Sequence, residues 1–294
     1  MSAAPEPGGR PAAVGPRGSD FVLRFRANRN AVIGALIVAA VLILALIGPW
    51  IAPHDPARVN MLAVWRAPDD TYLLGADALG RDVLSRIILG ARVSLSIAVA
   101  VLAITLTVGI AMGMIAAWHG GWVDALIMRG VDIIFAFPEL IFAILVASIL
   151  GPGRLTVIIA LSIVWWPGIA RLTRALVLSL KSEMFVEAAI AAGTPVYRIM
   201  LRHFLPNIIA PLIVRASIGV GFIIMAEATL SFLGIGVQEP LPTWGGMIRD
   251  GLGQLRTDPH LALWSSLALG LTMIGFNLLG DGLRDILDPR VQDR

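Results

Sequence analysis

Ionisable side chains inside apolar sequence are the first places to look for chemistry, and this chain has a short series of them. Asp124, Arg129, Asp132 and Glu139 share one long apolar stretch; Arg215 and Glu227 share another. A charge at mid-membrane costs at least about 2.5 kcal/mol on insertion scales, so each must face protein or water, or lie near the membrane edge. Arg129 and Asp132 are three positions apart and can pair on a helix, while Asp132 and Glu139 are seven apart and fall on nearly one face. Two chemistries fit. The acids line a path for a solute, or they pair helices near the membrane boundary. Pairing is the plainer account of Asp124, Arg129 and Asp132; Glu139, beside Pro138, fits both. Arg215 and Glu227 are 12 residues apart, about 18 Å along a helix, so each needs its own partner. Used as proton or cation sites, Asp132, Glu139 and Glu227 would make the chain an ion-coupled secondary transporter, the alternative function that these residues allow.

Other chemistries find no support. There is no H-E-x-x-H helix, and His54, His119, His203 and His260 are scattered singly, so no metal site and no catalytic residue are expected. An intramembrane aspartyl protease pairing Asp132 with Asp281 would need G-x-G-D, but Leu278 stands two positions before Gly280. Cysteine is absent, which excludes disulfides and thiolate metal sites. No segment reads G-x-x-x-x-G-K-[ST], so the chain has no phosphate-cradling loop and no cofactor of its own is expected.

The elements that must position these residues are helices. The 294 residues are 57% hydrophobic and 15% charged, whereas a soluble domain is nearer half apolar and a quarter charged. An all-α polytopic membrane protein with about six spans follows. The net charge of +3 is too small to point to nucleic acid. The predicted spans are 31–52, 93–118, 123–151, 155 to about 180, 208–236 and 261–280. The first is uncharged over 22 residues, about 33 Å of helix against a hydrocarbon core of about 30 Å; it is too long for a cleaved signal peptide and lacks a cleavage site. Residues 1–20 are rich in Pro, Gly and Ala and are predicted to be disordered, with Arg24, Arg26 and Arg29 leading a basic approach to the membrane. Residues 53–92 are predicted as a loop whose last part, from Asp82, is a helix lying on the membrane surface. Residues 237–260 are predicted as a Pro- and Gly-rich loop. The even span count puts both termini, including the tail 286–294, on one side. Thirteen basic residues fall on that side and eight on the other, which makes it the cytoplasmic one.

One polar interruption, residues 178–206, is ordered differently from the rest. Ser182 is predicted to cap a helix, with Glu183 favourable at its positive end. Gly193 can end that helix in the left-handed conformation. Thr194 is placed to cap a second helix with Pro195 at its first position, and that helix is expected to stop before Pro206. Two short helices with a sharp elbow result.

Glu187-Ala188-Ala189, Gly193 and Leu205-Pro206 stand at the distances of the EAA loop of ABC importer permeases, and the chain is identified as resembling that family. His203 occupies the position where the general pattern has isoleucine. The run Arg202-His203-Phe204-Leu205-Pro206-Asn207 resembles instead the dipeptide and oligopeptide branch, which includes nickel and glutathione permeases. LGADALGRD from Leu74, Ala136-Phe137-Pro138, the run from Glu227 to Gly234 with Trp244-Gly245, and the run from Phe276 to Asp285 also resemble that branch. The resemblance covers about Asn30 to Arg290. It implies the fold of a type I importer permease and no enzyme activity. It implies four kinds of partner besides membrane lipid: a second homologous permease in a heterodimer, two cytosolic ATPase subunits holding ATP and Mg, and an external substrate-binding protein. It further implies that Glu187, Ala188, Ala189, Gly193, Thr194, Pro195, His203, Leu205 and Pro206 form the ATPase-coupling loop, and that Glu139 and Glu227 are candidates for the translocation pathway.

Overall fold

The computed structural model describes residues 18–287; the ends predicted as disordered N-terminus and cytoplasmic tail lie largely outside them. Among the described residues there are eleven α-helices and no strand. Helix α1 (Gly18–Ala27) occupies the end of the segment predicted to be disordered and is followed at once by α2 (Arg29–Ile51). Asn28 caps α2, its side-chain oxygen accepting from the Ala31 amide at 3.0 Å. Five helical runs are long and apolar enough to cross a membrane: α2, α3 (Val83–His119), α6 (Arg154–Lys181), the joined run Val196–Phe232, and α11 (His260–Leu287). Helices α4 (Gly121–Phe135) and α5 (Glu139–Leu150) form a pair bent by 91°, and as one span they make the sixth crossing.

The chain passes back and forth between two ends. At one end Asn28, before α2, donates to Asp285, near the end of α11, at 3.2 Å. The end of α3 meets the end of α6 there too, where Lys181 Nζ donates to the Trp118 carbonyl at 2.7 Å. This end also carries the short helices α7 (Met184–Ala191) and α8 (Val196–Ile199) of the elbow. At the other end the segment 52–82 and helix α10 (Trp244–Leu252) cover the starts of α3 and α11. The core sits between α3, α6, α9 (Leu205–Phe232) and α11. Close approach there depends on missing side chains: a Cβ on Gly113 of α3 would fall 2.5 Å from the Ala170 carbonyl oxygen of α6.

Several sequence expectations need correction. The surface helix expected from Asp82 is the first part of a single 37-residue helix that becomes the second span. Its charges suggested a surface location, but Arg86 is buried and faces acids from other segments. The third span is broken at Ala136-Phe137-Pro138, so Asp132 and Glu139 share no face. Pro138 has no amide to donate and takes an extended ψ of 126°, which ends the hydrogen-bond ladder of α4. The loop predicted at 237–260 contains α10, whose start is capped by Thr243 Oγ1 accepting from the Gly246 amide at 3.1 Å.

Candidate functional site: a bent connector below an acid-bearing bundle

The elbow is built from its backbone outward. Helix α7 ends in a Schellman arrangement: the Thr194 amide donates to the Ala189 carbonyl at 3.0 Å and the Gly193 amide to the Ile190 carbonyl at 2.9 Å. Gly193 has φ +71°, the left-handed geometry that glycine adopts without Cβ strain. The caps differ from those expected. Ser182 closes α6, and α7 is preceded by Glu183 with no side-chain cap. Pro195, not Thr194, occupies the cap position of α8. The second helix also does not stop at Pro206. A π-turn over Met200–Phe204 carries α8 directly into α9, with the Leu205 amide donating back to the Met200 carbonyl. The widened turn accommodates a residue that has no amide of its own.

One face of the elbow is pinned and the other is bare. Val186, Ile199, Phe204 and Ile208 are buried against Met114 and Ala117 of α3 and Val177 of α6. Lys181 Nζ donates to the carbonyls of Ala117 and Trp118 and lies 5.5 Å from the Trp118 ring. It thus satisfies the free carbonyls at the end of α3 with a positive charge, which suits the negative end of a helix. Sequence reasoning passed over Lys181; its being the only lysine and standing at a helix end was the available signal. On the bare side, Glu187, Ala188, Gly193, Pro195 and Pro206 are exposed, and Ala189, Thr194, His203 and Leu205 are half-buried. His203 lies beside Phe185, with ring centroids 6.2 Å apart. Met184 is 83%, Phe185 41% and Ile190 47% exposed, while Val186 is fully buried.

The acids inside the bundle separate into three situations. Asp124 takes both Nε and Nη2 of Arg174, and Asp132 accepts from Arg171 at 2.6 Å; each pair ties α4 to α6. Arg129 is not the partner of Asp132. Glu227 is fully buried and faces no cavity, so the reading of it as a pathway residue is not supported by its position. It accepts from Ser94 Oγ and Ser231 Oγ, both at 2.8 Å, and joins α9 to α3. Glu139 alone opens into a cavity, of about 130 Å³, with Trp165, Phe222 and Thr229 among its walls.

Comparison with known proteins bears directly on this architecture. Residues 109–293 match the family model described as binding-protein-dependent transport system inner membrane component. The chain belongs to that permease family. Residues 17–68 match the N-terminal transmembrane domain of oligopeptide transport permease C. The chain is 38% identical over 293 residues to a dipeptide transport system permease protein of Alkalihalophilus pseudofirmus, covering 98% of this chain and 96% of that one. It is 39% identical over 274 residues to a glutathione transport system permease protein of Escherichia coli O157:H7, covering 93% of this chain and 90% of that one. A similar match, 39% over 273 residues, is to an oligopeptide transport system permease protein of Haemophilus influenzae, covering 92% and 88%. The permease is therefore a transport subunit of an ABC importer, not an enzyme, and an importer of this kind includes ATPase and binding-protein partners. The family gives no support to the ion-coupled alternative.

The remaining motifs of the permease cap its other end. In the LGADALGRD stretch, Asp77 Oδ1 accepts from the amides of Leu79 and Arg81, both at 2.9 Å, folding the loop on itself. Arg81 pairs with Asp77 at 2.7 Å and with Glu239 at 2.6 Å, and Arg86 pairs with Glu239 at 2.9 Å. Burial alone would push the Glu239 carboxyl up. The Arg81 hydrogen bond and the charges of Arg86 and Arg81 outweigh it and hold that carboxyl below the usual range. Trp244 is buried, donating Nε1–H to the Ile87 carbonyl at 3.1 Å. A Cβ on Gly245 would lie 2.0 Å from the Ala228 carbonyl oxygen, which explains glycine after that tryptophan.

Proposed function

We propose that this permease moves dipeptides, oligopeptides or a related small solute such as glutathione across the cytoplasmic membrane, and that the elbow couples it to ATP hydrolysis on partner subunits. The solute class rests on the names of its relatives. In this reading the elbow end and both termini face the cytoplasm, as the distribution of basic residues favours. Two cytosolic ATPase subunits hold ATP and Mg, a second homologous permease completes the pathway, and an external binding protein delivers the solute.

The observation that carries the coupling role is the pairing of a pinned face with a bare apolar one. Met184, Phe185 and Ile190 project from α7 without cover, while Val186 and Lys181 fix the helix to the bundle. Exposed apolar patches of this kind mark protein contacts. A connector fixed by the Gly193 turn and the ends of α3 and α6 passes a push to the spans as a rigid body, whereas a slack loop would absorb it. Ala188 leaves room for a partner's groove, and Glu187 offers it a charge.

The chain has no cysteine, so Ala189→Cys adds the only thiol in this subunit. Crosslinking from that thiol in native vesicles should capture an ATP-hydrolysing subunit. Gly193→Pro, which forces φ to about −65° where +71° is needed, should uncouple ATP hydrolysis from uptake, as should Glu187→Arg. Failure to crosslink, with normal substrate-stimulated hydrolysis in both variants, overturns the reading.

A further inference from the structure

The cavity beside Glu139 makes a case of its own. Asp124, Asp132 and Glu139 are the acids of the α4–α5 span. The first two are matched by Arg174 and Arg171. Glu139 takes part in none of the ion pairs or side-chain hydrogen bonds among the described residues, yet it opens on the cavity. It is the first residue of α5, directly after the 91° break, where the free amides at the helix start favour negative charge. The opposite walls are aromatic. Trp165 and Phe222 have ring centroids 6.2 Å apart and both line the cavity. Trp165 stands 16 residues before Lys181, the end of α6, about 24 Å from the elbow along the helix. The carboxyl therefore lies deep in the bundle, where an unmatched charge is expensive and is usually functional.

A lone carboxylate facing two aromatic rings in an apolar cavity has a definite complement. The carboxylate supplies the counter-charge, and the π-faces attract a cation through their quadrupoles. Anions and neutral polar groups gain neither. The space is too small for a whole peptide but sufficient for a terminal ammonium group with its first carbons. We propose that Glu139, with Trp165 and Phe222, forms a cation-accepting subsite within the membrane that receives an ammonium group of the transported solute. The proposal rests on the permease reading of the chain and adds to it a chemical class and a place.

The absence of cysteine makes the test direct. Thr229 lines the same cavity, so Thr229→Cys places a single reporter thiol there in the assembled importer. Its labelling is followed with a methanethiosulfonate carrying trimethylammonium and with one carrying sulfonate. The cationic reagent should react faster by about tenfold, as expected for one charge a few ångströms away at intermediate dielectric. Ethylammonium should protect the thiol from it, and acetate should not. In Thr229→Cys/Glu139→Gln the preference and the protection should both vanish, while labelling by a neutral reagent stays unchanged and reports intact folding. Equal rates for both charged reagents in the Glu139 protein, or a preference that survives Glu139→Gln, overturn the proposal. A sister subunit that neutralises Glu139 would give the first of those results. Uptake of a dipeptide by the unmodified importer is measured separately, so failure of the solute assignment is distinguishable from failure of the subsite.

Discussion

Single residues in this permease carry two kinds of burden. Glu227 is structural: its carboxyl is the shared acceptor of Ser94 and Ser231 in a dry contact between α3 and α9. Glu227→Ala should leave two buried hydroxyls without their partner and a void beside them, lowering stability by about 2–4 kcal/mol. Glu227→Gln, which keeps an acceptor, should cost about 1 kcal/mol. Thermal melting of the detergent-purified protein would check both. Glu239 is different, because its carboxyl is held below the usual range by Arg81 and Arg86 against the effect of burial. A depressed folded-state value means that its contribution is fully present above the unfolded value, about 4.3. The contribution is lost as pH falls through the lower folded value. Wild-type protein should therefore lose melting temperature on acidification below about pH 4, while Glu239→Gln should start lower and lose less over that window. Proteolysis near residues 238–243 as a function of pH would be an independent check.

At the scale of elements, the elbow is the informative case. Its turn depends on one backbone conformation, Gly193 at φ +71°, and a Cβ there would meet nothing within 4 Å. Gly193→Ala should thus cost only the backbone strain, about 1 kcal/mol, and should raise the ATP hydrolysed per solute moved without preventing assembly. Lys181→Met retains length but leaves the Ala117 and Trp118 carbonyls uncapped. A loss of about 1 kcal/mol and weaker coupling are expected, with the same assay as readout. The glycine signal and the distance to Leu205-Pro206 were legible in the sequence because each reflects a local backbone requirement. The caps were not. Ser182 and Thr194 are good capping types, but whether such a side chain caps depends on how the preceding helix ends, and α6 runs one turn further than its apolar stretch. The continuity of α8 into α9 was hidden for a similar reason, since a widened turn leaves no composition mark.

At the scale of the molecule, the six crossings are tied together by polar contacts between distant segments. Arg174→Ala should strand Asp124 between α4 and α6 and cost about 1–3 kcal/mol in this partly buried setting. Adding Asp124→Ala should restore part of it, and a double-mutant cycle on melting temperature would measure the coupling. The covering at the far end depends on Arg81 reaching Glu239 across 158 positions, a separation that no local pattern reports. For the same reason Arg86 looked like a surface charge although it is buried.

Sequence alone determined the class: an apolar, cysteine-free, all-helical chain with about six crossings and a fixed-distance elbow motif, because hydrophobic length and backbone propensity are written locally. The tertiary structure decided which charges are matched. It paired Asp124 and Asp132 with arginines of α6, enclosed Glu227 between serines and left Glu139 facing a cavity. Charge matching is a property of neighbours in space, and the fold chooses those neighbours.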